Sequence, residues 1–123
     1  MPITSTGKNL IRHEIIPVVG EIAKAETYQE VLHKVAYVID NVVDFSSKDP
    51  FGGEANRVLV EETAKSAATH HINKTYIYTS GLLVYTHSDE VRDENTPLQG
   101  DFPVLKSRIA FERYVQEHTG VSR

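Results

Sequence analysis

Residues 74–90, KTYIYTSGLLVYTHSDE, decide how this chain is read. The stretch opens by alternating apolar and hydroxyl residues and breaks at Ser80-Gly81. It resumes as Leu82-Leu83-Val84-Tyr85 and then dissolves into polar residues. A β-branched and aromatic TYIYTS run stopped by glycine predicts a strand. Whether that strand is merely buried or is the edge of a site depends on what precedes it. In a parallel α/β sheet, ligands bind beyond the carboxyl ends of the strands.

Upstream, residues 15–19 (IIPVV) form a β-branched run ended by Gly20 and predict a short strand, although Pro17 cannot donate to a central ladder. In AETYQEVLHKV, Thr27 and Glu30 have capping-box spacing. Tyr28, Val31, Leu32 and Val35 recur at helical intervals, which predicts a short amphipathic helix. Residues 36–45, AYVIDNVVDF, are so rich in β-branched and aromatic residues that a strand covered on both faces is expected. SSKDPFGG reads as a loop. From Glu54 to about Thr69 a second helix is expected, with Ala55, Val58, Leu59 and Thr63 on one side and Arg57, Glu61, Glu62 and Lys65 on the other.

Downstream, residues 86–102 form a long polar rim loop. Pro103 is placed to open a last helix running to His118, before Gly120. Strand, helix, strand, helix, strand, loop and helix imply parallel β/α units with right-handed crossovers. The functional rim then falls at residues 41–45 and 79–85. Residues 1–14 are expected to be a flexible N-terminus.

Composition sets outer bounds. A chain of 123 residues is one domain able to bury a core. A net charge of -4, with the 13 Lys and Arg residues scattered, offers no polyanion face, so nucleic acid is not an expected partner. Cys is absent, which rules out disulfides and thiolate metal sites. There is no signal-peptide core, and the longest weakly charged run, residues 75–88, is too short for a bilayer. A soluble, cytoplasmic protein without membrane partners is expected.

The order of these motifs resembles the extended short-chain dehydrogenase/reductase family, which holds NAD-dependent epimerases and dehydratases. VVGEIAKAETYQEVLHKVAYVIDNVVD resembles that family's third strand, helix and fourth strand. ANRVLVEETAKSA resembles its Asn-led helix start, with Asn56 at the first Asn. YIYTSGLLVYT resembles the strand running into Val-Tyr-Gly. DENTPL, with Glu94 and Pro97, resembles its Glu-x-x-Pro element, and RIAFERYV resembles its acid-bearing helix, with Glu112 at the acid. The likeness spans about residues 15–119. Each motif is weak alone; their order and spacing are what is specific.

The resemblance implies a partial Rossmann-like parallel β-sheet with flanking helices in three α/β/α layers, forming one NAD(P)-binding domain over residues 1–123. It implies NAD or NADP as cofactor, touched by Glu21, Ile22, Asn41, Val42, Thr79 and Arg108. It implies catalytic roles for Ser80, Arg108 and Tyr85, and a small carbonyl or sugar-like substrate for a full-length oxidoreductase of this kind. Several positions depart from the pattern. Nothing resembles the glycine-rich first strand-turn-helix, so the first half of the cofactor site is expected to be missing, as is the substrate-binding C-terminal part. The family's Tyr and Lys fall on Val104 and Arg108, its hydroxyl position on Gly81 beside Ser80, and its last glycine on Thr86. Valine cannot transfer a proton, and arginine keeps the charge without a phenol to activate.

The chain alone is therefore expected to bind NAD(P) poorly and to turn over nothing. The alternative is a non-catalytic Rossmann-type sensor or interaction protein. Strands lacking their neighbours would also expose apolar edges, calling for a covering partner or a homo-oligomer.

Each candidate has a plainer reading. Ser80 either polarises a substrate carbonyl or ends a strand and bonds its own turn. Tyr85 is a displaced acid/base or a packing residue. Lys106 points to another helix face than Arg108, and Tyr114 with His118 mimics Tyr-x-x-x-Lys spacing on a solvated stretch. His70-His71 suits a helix terminus better than a metal, because adjacent His side chains diverge. Glu61-Glu62 is a solvated face, Glu21 a polar strand end, and Asn56 a hydrogen-bonding bridge between helix and sheet. TSGLL is not a nucleophile elbow.

Overall fold

The computed structural model describes residues 5–81, 84–85, 89–100 and 105–118. Strands β1 (Tyr37–Asp40) and β2 (Thr75–Tyr78) pair in parallel, Tyr37 opposite Thr75 and Asp40 opposite Tyr78. Parallel neighbours need a crossover. Helix α3 (Glu54–His70) provides it, with α2 (Gln29–Lys34) before β1 and α4 (Lys106–Glu117) after β2. The chain is thus α/β, and among the described residues its sheet has two strands. No helix among them is long and apolar enough to cross a membrane.

Four local expectations are corrected. Residues 15–19 form no strand; they run as irregular chain with Ile16 87% exposed, and Pro17 offers no N–H for a ladder. Residues 36–45 yield only the four-residue β1, because the Asp40 carboxylate takes the Val42 N–H at 3.0 Å and turns the chain out of register. Nor is β1 covered on both faces: Tyr37 and Ile39 are 70% and 62% exposed, while Val38 and Asp40 are buried. The Thr27–Glu30 capping box does not form. Thr27 Oγ1 instead accepts the Glu21 N–H at 3.0 Å and bonds the Lys24 carbonyl at 2.7 Å, closing a 3-10 turn over Ala25–Thr27. Near the N-terminus lies helix α1 (Ser5–Arg12). It ends in a Schellman turn, Glu14 N–H to Ile11 O at 3.0 Å and Ile15 N–H to Leu10 O at 3.1 Å.

The core brings Leu32 of α2, Val38, Val60, Tyr76, Phe111 and Val115 together. On α3 the buried stripe is Asn56, Val60, Thr63 and Ser66, rotated from the apolar side that the sequence suggests. Three of these four are polar, and each is satisfied: Thr63 Oγ1 on the Leu59 carbonyl at 2.7 Å, Ser66 Oγ on His33 Nδ1 at 2.7 Å, and Asn56 on Asp40. Satisfied polar groups can be buried without the desolvation penalty of orphaned ones. Helix α2, only six residues long, is too short to hold itself. The buried Lys74 ammonium supports its carboxyl end, donating to Leu32 O at 2.8 Å and to Val35 O.

Both ends of α3 use left-handed backbone. Gly53 caps the start at φ 66°, and His71 caps the finish at φ 53°, with the Ile72 N–H on Ala67 O at 3.2 Å. The reading of His70-His71 as a helix terminus holds. Histidine at this position has the Cβ cost that glycine lacks. His71→Gly is therefore expected to raise stability by about 0.5–1 kcal/mol and the melting temperature by about 2–4 °C. A calorimetric scan showing no gain would mean the terminus is not held left-handed.

Candidate functional site

The carboxyl ends of β1 and β2 lie side by side, because the parallel register continues one step beyond them: the Thr79 N–H donates to Asp40 O at 3.1 Å. Thr79 Oγ1 then reaches across to Asn41 Oδ1. One residue on, Ser80 Oγ donates to Glu112 Oε2 of α4. Arg108 sits one helical turn before Glu112, so both project toward the same strand ends. Its Nη2 donates to Thr79 O at 3.2 Å, and its guanidinium lies 5.3 Å from the Phe51 ring centroid and 5.9 Å from that of Tyr78. The Arg108 Nε is buried with no hydrogen-bond partner among the described residues. An orphaned buried donor costs roughly 1–3 kcal/mol, so this N–H is poised for an acceptor. A Cβ at Gly81 would stand an ordinary 3.7 Å from Arg108 Cζ, so glycine there is not demanded by space.

The Tyr78 ring lies under the Arg108 guanidinium. Burial pushes its pKa up, Arg108 pulls it down, and the net shift is upward, so it is a neutral donor at pH 7. Beneath the rim lies a buried polar knot that the sequence did not reveal. Asn56 Nδ2 bridges the two Asp40 oxygens at 2.9 and 2.8 Å and donates to Val42 O at 3.1 Å, while the Tyr76 hydroxyl donates to Asp40 Oδ2. Burial and the Asp40 carboxylate both hold the Tyr76 phenol well above its ordinary range. Asn56 is thus the helix-to-sheet bridge anticipated for it. It fixes where β1 ends, and so where Asn41 and Val42 stand.

Outside Glu112 opens a cleft of about 410 Å³ whose walls include Tyr85, Glu94, Pro97, Leu98 and Arg113. The Tyr85 hydroxyl bonds Asp93 O at 3.3 Å, and an Asp93–Thr96 turn shapes the far wall. Of the predicted catalytic residues, Ser80 bonds the Glu112 carboxylate, Arg108 bonds the Thr79 carbonyl, and Tyr85 lines the cleft outside Glu112. Asn41 and Thr79 adjoin them, and the Val42 carbonyl is taken by Asn56. Glu21 and Ile22 are engaged elsewhere: the Glu21 carboxylate pairs with Lys24 at 2.9 Å, and Ile22 O accepts the Tyr28 hydroxyl at 2.8 Å.

The residue the sequence undervalued is Glu112. The resemblance marks it only as the acid of the last helix, yet it takes the single Ser80 proton, leaving Ser80 an acceptor toward the rim. The i, i+4 spacing of Arg108 and Glu112 was the available signal. Thr86, Pro103, Val104 and Gly120 lie outside the described residues. Lys106 is exposed, and Tyr114 packs its ring under Arg57 at 4.2 Å and bonds Glu61 at 3.3 Å, which is surface packing. His70 stacks obliquely on His33, ring centroids 4.2 Å apart, and no group of three metal-ligating side chains occurs among the described residues. No family model matches the chain, and no curated protein or solved structure matches it either.

Proposed function

We propose that the chain is an NAD(P)-binding, epimerase/dehydratase-like domain of an atypical short-chain dehydrogenase/reductase kind, with a Rossmann-like layering of its sheet. In this reading the rim at Asn41, Thr79, Ser80 and Arg108 takes the ribose part of the dinucleotide. The observation that carries it is the buried Arg108 Nε, without a hydrogen-bond partner among the described residues, at the end of two parallel strands. Beside it stand hydroxyl and amide groups and the Glu112-bound Ser80 oxygen. Donors and acceptors mixed in this way suit the vicinal hydroxyls of a sugar.

The glycine before α3 does not suit a pyrophosphate. Gly53 faces a concavity lined also by Asp44, Asp49 and Glu54, and Phe111 fills the space above it. Carboxylates there repel an anion. Ribose contacts alone give weak binding, about 1 mM or weaker.

Titration with NADH, followed through backbone amide resonances, is the test. Shifts at Asn41, Thr79, Ser80 and Gly81, abolished in Arg108→Ala, are expected; Glu21 and Ile22 should not move. Micromolar affinity by calorimetry would overturn the half-site reading, and an unchanged spectrum at about 10 mM ligand would overturn the binding site itself.

A second reading, a non-catalytic sensor built on the same fold, draws on the Ser80–Glu112 bond. A serine whose proton is committed to a carboxylate does not polarise a carbonyl, and the raised Tyr78 phenol is no substitute base.

A further inference from the structure

We propose that the free edge of β1 is a self-association surface, at which two copies of the chain pair antiparallel about a two-fold axis through Val38. The ladder to β2 uses the carbonyls of Ala36 and Asp40, which accept from Thr75 and Thr79 at 2.8 and 3.1 Å. Backbone groups alternate sides along a strand, so the N–H and C=O of Tyr37 and Ile39 point away from β2. Nothing among the described residues pairs with that edge. Monomeric proteins guard such edges with charge, proline or a bulge. Tyr37, Val38 and Ile39 supply none of these.

Beside the edge runs an open apolar groove of about 250 Å³ between β1 and α2, with Val18, Val31, Val35, Tyr37 and Ile39 among its walls. A second copy is the occupant that the geometry favours, because the edge is self-complementary. With Val38 on the axis, Tyr37 of each copy faces Ile39 of the other, and each such pair exchanges two backbone hydrogen bonds. Tyr37 and Ile39 share one face, so both cross-strand contacts are aromatic on β-branched, a favourable combination. The two-stranded sheet becomes four-stranded, which meets the usual minimum for a stable one.

Sedimentation velocity of the whole chain at roughly 100 μM, far above a micromolar dissociation constant, reads the mass directly. The expected wild-type species is 27.6 kDa, twice 13.8 kDa. Ile39→Pro removes an edge-facing N–H without touching the ladder to β2 and should give 13.8 kDa with an unchanged far-ultraviolet spectrum. Should that variant misfold, Tyr37→Lys serves instead. It alters an exposed side chain only, and should raise the dissociation constant at least tenfold. A monomeric wild type overturns the proposal, as does a species that grows without limit or a dimer indifferent to Tyr37→Lys.

Discussion

Gly53→Ala is expected to destabilise the protein by about 3 kcal/mol, lowering the melting temperature by about 12 °C. Two costs add. A left-handed backbone at φ 66° costs a Cβ-bearing residue about 1–2 kcal/mol. The new methyl would also stand inside the Phe111 ring, 2.6 Å from Cδ2 and 2.8 Å from Cδ1. Phe111 is fully buried between Tyr78, Tyr114 and the start of α3, so it has no room to retreat. Overpacking of that kind costs about 1–3 kcal/mol. The consequence reaches the site, because Phe111 is next to Glu112 and seats α4. Trimming the ring should therefore rescue part of the loss: Phe111→Leu is expected to cost less in the Gly53→Ala background than in the wild type. Urea denaturation of the four variants measures that coupling, and simple additivity would show that the two residues do not touch.

Asn56→Ala is expected to cost a similar amount, about 3 kcal/mol, for a different reason. The amide nitrogen holds both oxygens of a carboxylate that is 1% exposed, and one carbonyl besides. Its removal leaves Asp40 with the Tyr76 hydroxyl and the Val42 N–H only. Removing a hydrogen-bond donor from a buried carboxylate leaves part of its desolvation uncompensated. Asn56→Asp sets two carboxylates against each other and should be worse than Asn56→Ala at pH 7. Its deficit should shrink as the pH falls, since one added proton restores a donor between the two groups. Melting curves from pH 7 down to about 4 follow this; a deficit independent of pH would mean that the two side chains are not in contact. The rim should feel the loss as well, because Asn56 positions Val42 next to Asn41.

What was legible in the sequence had local causes. The helix over residues 54–70 follows from its length and charge pattern, and the strand at residues 75–78 from β-branched and aromatic residues bounded by polar ones. Arg108 and Glu112 are four apart, so a helix alone brings them onto one face. The boundaries failed where a side chain outbid the backbone pattern. Asp40 bends β1 by taking the Val42 N–H, and Thr27 closes a 3-10 turn instead of capping α2. Such bonds compete with regular structure and leave no period to read.

The sequence by itself determined the α/β alternation, the parallel direction of the strands and the rim where their carboxyl ends meet. Alternation and short connections allow few other arrangements. Only the tertiary structure decided which polar groups face one another there. Asn41 meets Thr79 across 38 positions, Ser80 meets Glu112 across 32, and Asn56 meets Asp40 across 16. Each bond depends on the packing of Phe111 and Val60 that holds the helices against the sheet. Hydrophobic burial is set by area and is indifferent to identity, whereas a hydrogen bond has a fixed length and direction. The first can be read from composition along the chain; the second exists only after the chain has folded.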